Sequence, residues 1–183
     1  MKEFSGFFII LIIIAIVILW YISAMNDLRR TSVKVEEALS DIDVALIKRH
    51  DVLTKMLDIT KSYAKYEKEV MFETIRLRSG ISNAERNSAI NTLDQASQFI
   101  HAVAENYPQL KSSENFRQLQ LSVMDTEEHL QAARRLYNGN VSRLNQKIVS
   151  FPTSFVANNL HMKQQEFFEA EEAKKQDVTM DIF

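Results

Sequence analysis

The chain begins with a long stretch in which every position is apolar. Residues 7–22 are 16 consecutive apolar or aromatic residues, and no charge stands between Glu3 and Asp27. A helix needs about 20 residues to cross the ~30 Å hydrocarbon core of a bilayer, and residues 4–25 supply that length. We therefore predict one membrane-spanning helix in contact with lipid, with Trp20 and Tyr21 as anchors at the headgroup interface, where amphipathic rings are favoured.

A cleaved signal peptide is the alternative interpretation of this segment. The apolar run is longer than the usual h-region of about 7–15 residues. Lys2 is offset by Glu3, and no small residue stands two positions before Ala24. These features favour an uncleaved anchor.

The basic residues that flank the run predict its orientation. Lys2 alone precedes it, whereas Arg29, Arg30 and Lys34 follow it. The positive-inside rule therefore places the N-terminus outside the inner cell membrane and the C-terminal part in the cytoplasm.

After the apolar run the pattern changes to a helical period. Residues 27–78 contain no Gly or Pro, and Ser79-Gly80 offers a C-cap. We predict a first long helix over this segment, because apolar positions recur at spacings of three and four. These positions are Val35, Ala38, Leu39, Ile42, Ala45, Leu46, Leu53, Met56, Tyr63, Tyr66 and Val70.

A second helix is predicted to begin at Ser82, which with Glu85 forms a capping-box pattern. It ends near Asn106, because the residue before Pro108 avoids the α region. Its apolar positions are again spaced by three and four. They are Ala89, Ile90, Leu93, Ala96, Ile100 and Val103.

A third long helix is predicted after a connector at residues 107–112, with Ser113 as its cap and Phe151-Pro152 as its end. A short fourth helix runs to about Met162. Residues 163–183 hold six acidic residues against three Lys and are predicted to be a solvated, partly irregular tail. The apolar positions of the third helix are Phe116, Leu119, Val123, Leu130, Tyr137, Val141, Leu144, Ile148 and Phe151.

These elements predict an all-α fold: one N-terminal transmembrane helix followed by a long antiparallel bundle of three long helices and a short fourth. The predicted parts are an anchor (1–26), a helical bundle (27–162) and a tail (163–183). Gly80, Pro108 and Pro152 mark the three joints. Amphipathic helices must bury their apolar stripes against one another, and antiparallel packing is the simplest solution.

The amino-acid composition excludes several kinds of functional site. The chain has 3 Gly, 2 Pro, no Cys and a net charge of −2. Without Cys there is no disulfide, thiol nucleophile or thiolate metal site. A chain with this balance of charge gives no reason to expect nucleic acid as a partner.

Candidate chemistry is sparse. No two of the four His lie at i, i+4, and no P-loop, GxGxxG or GxSxG motif occurs. We therefore expect a protein that is not an enzyme, with no cofactor, no metal and no identified small-molecule substrate.

Charged residues within the apolar stripes are the one candidate site. Arg49 is in phase with Leu46 and Leu53, and Glu127 and Arg134 are in phase with Leu130 and Tyr137. With Asp43 these residues form a candidate polar layer. Charges are seldom buried without partners, so the layer either fixes the register of the helices or forms a site for a ligand or a proton. The structural role is the favoured interpretation.

Several segments, in this order, resemble the LemA family of bacterial membrane-anchored proteins. The match spans nearly the whole chain after the anchor. The segments are Ser40-Asp41-Ile42-Asp43-Val44, Lys48-Arg49-His50-Asp51-Val52-Leu53, Ser62-Tyr63-Ala64-Lys65-Tyr66-Glu67, Glu105-Asn106-Tyr107-Pro108-Gln109-Leu110-Lys111, Glu114-Asn115-Phe116, Thr126-Glu127, Ala133-Arg134-Arg135-Leu136-Tyr137-Asn138, Asn145, Phe151-Pro152 and Phe167-Phe168-Glu169-Ala170.

The resemblance implies a single N-terminal transmembrane helix, with its short N-terminus outside, and a helical bundle whose molecular role is not established. We expect a non-enzymatic scaffold that binds protein partners or self-associates. The alternatives are a bundle that binds a ligand or metal in its polar core, and a factor that organises the cell envelope or responds to stress.

Overall fold

The computed structural model describes residues 2–61 and 82–168. Its helices are α1 (Lys2–Lys61), α2 (Asn83–Asn106), α3 (Pro108–Lys111), α4 (Glu114–Val149) and α5 (Thr153–Asn159). Every regular element in those residues is helical, which confirms the all-α prediction. The predicted helix at 62–78, its stop at Gly80 and the tail beyond residue 168 lie outside the described residues.

The helix boundaries follow the local signals in the sequence. The Ser82 hydroxyl accepts a hydrogen bond from the Glu85 N–H, and the Glu85 carboxylate accepts one from the Ser82 N–H, as the capping-box pattern predicts. The predicted connector at 107–112 holds one helical turn, α3. α5 ends at Asn159, three residues earlier than expected.

α1 carries the apolar N-terminal run without a break into the residues that pack in the bundle. By length and composition, it is the one helix among the described residues that could cross a membrane. Side chains of the run are exposed, including Trp20, whereas Tyr21 is half-buried.

The chain divides into two compact units. The terminal unit comprises Met1–Val35 and Tyr137–Phe183, and the central unit comprises Glu36–Leu136. The anchor, bundle and tail boundaries after residues 26 and 162 stay predictions.

The core of the central unit is built from the stripes that the sequence predicts. All six apolar positions predicted for α2 are buried, together with Ile42, Leu46 and Leu53 of α1 and Leu130 of α4. In the terminal unit, Phe151 departs from its predicted place in the apolar stripe and is 89% exposed. α4 ends at Val149, so Phe151 lies beyond the helix and leaves its stripe.

Two ion pairs in the central unit show the direction of α2. Asp43 of α1 pairs with Arg86, and Arg49 of α1 pairs with Asp94. Residue numbers rise together along both helices, so α2 runs parallel to α1. This differs from the opposite directions that the predicted antiparallel bundle gives to successive helices. A capping signal shows where a helix begins or ends, but it does not dictate the path of the chain between helices.

In the terminal unit α4 runs antiparallel to α1. The Asn140 side chain donates a hydrogen bond to the Lys34 carbonyl, at 2.9 Å. Two turns further along α4, the Lys147 ammonium pairs with Asp27 at 2.8 Å. As residue numbers rise along α4 they fall along α1, so the two helices are antiparallel in this unit.

Candidate functional site

Arg49 of α1 is the centre of a buried ion-pair cluster in the central unit. Its side chain is 5% exposed, and its Nη2 donates to Asp94 Oδ1 of α2 at 2.6 Å. Its Nη1 lies 3.1 Å from Glu127 Oε2 of α4. One guanidinium therefore connects all three long helices, as its planar array of five donors allows.

Some polar atoms of the Arg49 cluster make no hydrogen bond to the described residues. Arg49 Nε and Nη1 and Glu127 Oε2 are buried, and none makes a hydrogen bond within the part of the chain that the structure describes. The Arg49–Glu127 contact is thus an ion pair without hydrogen-bond geometry. Two buried N–H donors remain that could bind a hydrogen-bond acceptor.

A second buried pair joins α1 and α2. Arg86 donates through Nε to Asp43 Oδ1 at 2.6 Å and through Nη2 to Asp43 Oδ2 at 2.8 Å. Its side chain is 3% exposed, and that of Asp43 is 21% exposed. This bidentate geometry specifies both distance and orientation, so the pair sets the register of α2 on α1.

The structure brings only part of the candidate polar layer together. Arg49 and Glu127 meet, Asp43 belongs to the separate pair with Arg86, and Arg134 is half-buried one heptad after Glu127 on α4. Sequence analysis missed Asp94 and Arg86. A signal for Arg86 was present, because it lies three residues before Ala89 and shares the apolar stripe of α2.

The surface ion pairs shift pKa values through direct hydrogen bonds. Arg117, with a contribution from Gln118, lowers the pKa of Glu114 to about 2. A hydrogen bond from Lys48 lowers the pKa of Asp125. Both carboxylates are solvated, so each lowered pKa comes from an ion pair at the protein surface. Among the described residues, no three His, Asp or Glu side chains lie together in a way that could hold a metal ion.

An open cleft of about 250 Å³ lies in the central unit beside the end of α1. Apolar side chains from three helices line it, among them Leu53, Ile100, Leu121 and Met124. Ligand sites for small molecules usually enclose about 300–1,000 Å³. The cleft is smaller than that and mainly apolar, so it suits a single side chain better than a metabolite.

The terminal unit contains a different kind of site, in which side-chain amides bind an extended backbone. Asn138 of α4 donates to the Phe168 carbonyl at 2.9 Å and accepts from the Phe168 N–H at 2.8 Å. Asn145 makes the same two contacts with Gln165, both at 2.8 Å. We call these two asparagines and the residues they bind the asparagine clamp.

The spacing of the clamp follows from the geometry of its two partners. Asn138 and Asn145 lie seven residues apart, or about 10.5 Å along a helix. Gln165 and Phe168 lie three residues apart, and an extended chain covers about 9–10 Å in three residues. The two spacings match, so one helix face can hold both backbone positions at once.

Phe168 completes the clamp by burial. Its ring is 3% exposed and meets the Tyr137 ring edge-to-face at 6.2 Å. The Tyr137 hydroxyl donates to the Glu166 carbonyl at 3.0 Å. Residues 165–168, which belong to the predicted solvated tail at 163–183, are therefore held on α4, although they have no regular secondary structure.

A Schellman motif after α5 precedes the clamped segment. His161 adopts the left-handed conformation, with φ of 52°. The Met162 N–H donates to the Ala157 carbonyl and the His161 N–H to the Asn158 carbonyl, each at 3.0 Å. Sequence reasoning missed this stop, because a glycine or asparagine usually marks it.

Residues of the asparagine clamp lie within the part of the chain that resembles a known family. Tyr137, Asn138, Asn145 and Phe168 all belong to the segments that carry the sequence resemblance. A family model described as the LemA family matches residues 38–182. The Protein LemA of Metamycoplasma hominis is 31% identical over 179 residues, covering 94% of this chain and 82% of that relative. These matches show that the chain belongs to the LemA family.

Proposed function

We propose that this protein is a membrane-anchored, non-enzymatic interaction protein. Residues 4–25 form its single span in the inner cell membrane, with the N-terminus outside and the bundle in the cytoplasm. The bundle presents a helix face to protein partners or to a second copy. One observation carries the proposal: α1 runs unbroken from the apolar segment into the packed residues of the bundle.

The central unit supports a binding role better than a chemical one. Its buried charges, Arg49 and Arg86, are engaged with carboxylates of neighbouring helices. Along α1, by contrast, Val44 and Ile47 are large apolar side chains that remain exposed. Their spacing of three residues places them on one face of the helix, where an apolar partner surface can pack.

Site-specific photocrosslinking in living cells tests this proposal. A benzophenone amino acid at Val44 is compared with the same probe at Gln98, an exposed polar position on α2. We expect discrete adducts from Val44 that are absent from Gln98. Two copies with different tags show whether the adduct contains a second copy or another protein. Equal yields at the two positions would contradict the proposal.

The orientation of the protein in the membrane is tested separately. The chain contains no cysteine, so a Gln98→Cys variant carries a single thiol. A membrane-impermeant maleimide should label it only after the cells are lysed. Labelling in intact cells would reverse the orientation.

Ligand binding at the Arg49 cluster is the second candidate function. The two buried N–H donors of Arg49 without hydrogen bonds favour it. A ligand that binds the folded state raises the melting temperature, so inorganic phosphate and formate are suitable probes. A rise in wild type that disappears in Arg49→Met would support a site; no rise with either anion would remove the support.

A further inference from the structure

Three large apolar side chains are exposed where α4 turns into α5. Val149 is 59% exposed, Phe151 89% and Phe155 62%. Single exposed apolar residues are normal on protein surfaces. These three lie within seven residues around one turn, and we call them the apolar tip. Exposed apolar residues that cluster in this way are typical of binding surfaces.

The place of the apolar tip is set by an ion pair with α1. Lys147 donates to Asp27 at 2.9 Å and to the Thr31 hydroxyl at 2.7 Å. Asp27 is the first charged residue after the apolar run. Because α4 is antiparallel to α1 here, residues after Lys147 advance toward the run. α4 ends at Val149, two residues further and about 3 Å along the helix, and Phe151 follows in the turn.

Folded protein also covers one face of α1 at this level. Ala24 and Leu28 are buried, although the residues before them in the apolar run are mainly exposed. The packed part of the terminal unit therefore reaches the last residues of the segment 4–25. The headgroup region on each side of a bilayer is about 5–7 Å thick, and Val149, about 3 Å along α4 from Lys147, lies within that depth of the Lys147–Asp27 pair.

We propose that the apolar tip inserts into the bilayer interface beside the span, as a second membrane contact of this protein. Its ligand is the boundary between lipid headgroups and acyl chains. The inference rests on the proposed anchoring through residues 4–25. Continuity with the span favours lipid over a protein partner, and the exposed Arg29 and Arg30 supply positive charge at the level where anionic headgroups lie.

Tryptophan fluorescence in nanodiscs tests the proposal with the full-length chain. The only native tryptophan is Trp20, so wild type reports the anchor. Phe151→Trp in a Trp20→Phe background reports the apolar tip. Phe167→Trp in the same background is the matched control, because it is a half-exposed phenylalanine of the same unit whose neighbour is bound at Asn138. Asn138 lies about 13 Å along α4 from Lys147.

Lipids brominated near the top of their acyl chains quench only indoles that reach the membrane. We expect Trp20 and the indole at position 151 to lose emission and shift to the blue, and the indole at 167 to do neither. If Trp20 is quenched while position 151 stays unquenched with a water-exposed spectrum, the apolar tip proposal is overturned but the anchor stands. If Trp20 is not quenched, the anchor itself fails.

A blue shift at position 151 without bromolipid quenching would mean that protein, not lipid, covers the apolar tip, and would also overturn the proposal. Phe155→Trp in the Trp20→Phe background is a second, independent reporter. Both sites are exposed, so the helical circular dichroism signal should be unchanged in either variant, and this is checked first.

Discussion

The asparagine clamp predicts that residues 165–168 leave α4 as one unit when either asparagine is removed. Asn138→Ala deletes two hydrogen bonds, at 2.9 and 2.8 Å, to the backbone of Phe168. Each contributes about 1 kcal/mol net. The free energy of opening the segment should therefore fall by about 2 kcal/mol, which is about 30-fold in the population of the open state.

Amide hydrogen exchange at Gln165 is the informative measurement. Its N–H donates to Asn145, which Asn138→Ala leaves intact. If the segment opens cooperatively, exchange at Gln165 accelerates by the same ~30-fold, since local opening controls the rate. Exchange at Phe168 alone would be uninformative, because the substitution removes its acceptor directly.

Two further variants test whether the segment opens cooperatively. Gln146→Ala removes an exposed amide of α4 that, among residues 2–61 and 82–168, bonds only to the Ser142 hydroxyl, so exchange at Gln165 should not change. Asn138→Asp keeps the acceptor but sets a carboxylate against the Phe168 carbonyl, and should open the segment at least as much as Asn138→Ala. An unchanged Gln165 rate in both Asn138 variants would refute the cooperative clamp.

Three other predictions follow from the ion pairs and caps. Arg86→Met leaves the Asp43 carboxylate unpaired and should cost about 3 kcal/mol in urea unfolding, whereas Arg86→Met with Asp43→Leu should recover most of it; an unchanged midpoint in the single variant would contradict the register role. His161→Gly relieves a left-handed conformation and should raise the free energy of unfolding by about 1 kcal/mol, and a loss would show that the imidazole has another role. Glu114 has its pKa lowered to about 2 in the folded state, so its stabilising contribution is complete above the unfolded pKa and is lost as pH falls toward 2. Carbon-detected NMR should place its midpoint there, and a midpoint near 4.5, the value for an unperturbed glutamate, would show that Arg117 does not hold it in solution.

Sequence periodicity was enough to identify the helix faces. In α2 the six positions spaced by three and four are all buried, and the Ser82–Glu85 capping box begins the helix. Both features are local, because helical geometry alone brings residues three and four apart onto one face. The same reasoning failed at Phe151, where the stripe continues in sequence but the helix has ended.

For the charged residues, sequence reasoning identified only some members of the ion-pair cluster. In-phase placement put Arg49 and Glu127 in one candidate layer, and the two meet, but their third partner, Asp94, lies on another helix. Partner choice depends on which helices are neighbours and in what register. Neither quantity is a property of one helix, so no periodicity encodes it.

By itself the sequence determined an apolar segment long enough to span a membrane, the helices that follow it and the faces that these helices bury. Tertiary structure alone decided that α2 runs parallel to α1, that Asp43 pairs with Arg86, and that two asparagines hold residues 165–168. The physical reason is the separation in sequence between the residues that interact. Helix formation and burial depend on residues a few positions apart, whereas these contacts join residues 20 to 45 positions apart, which only the packed chain brings together.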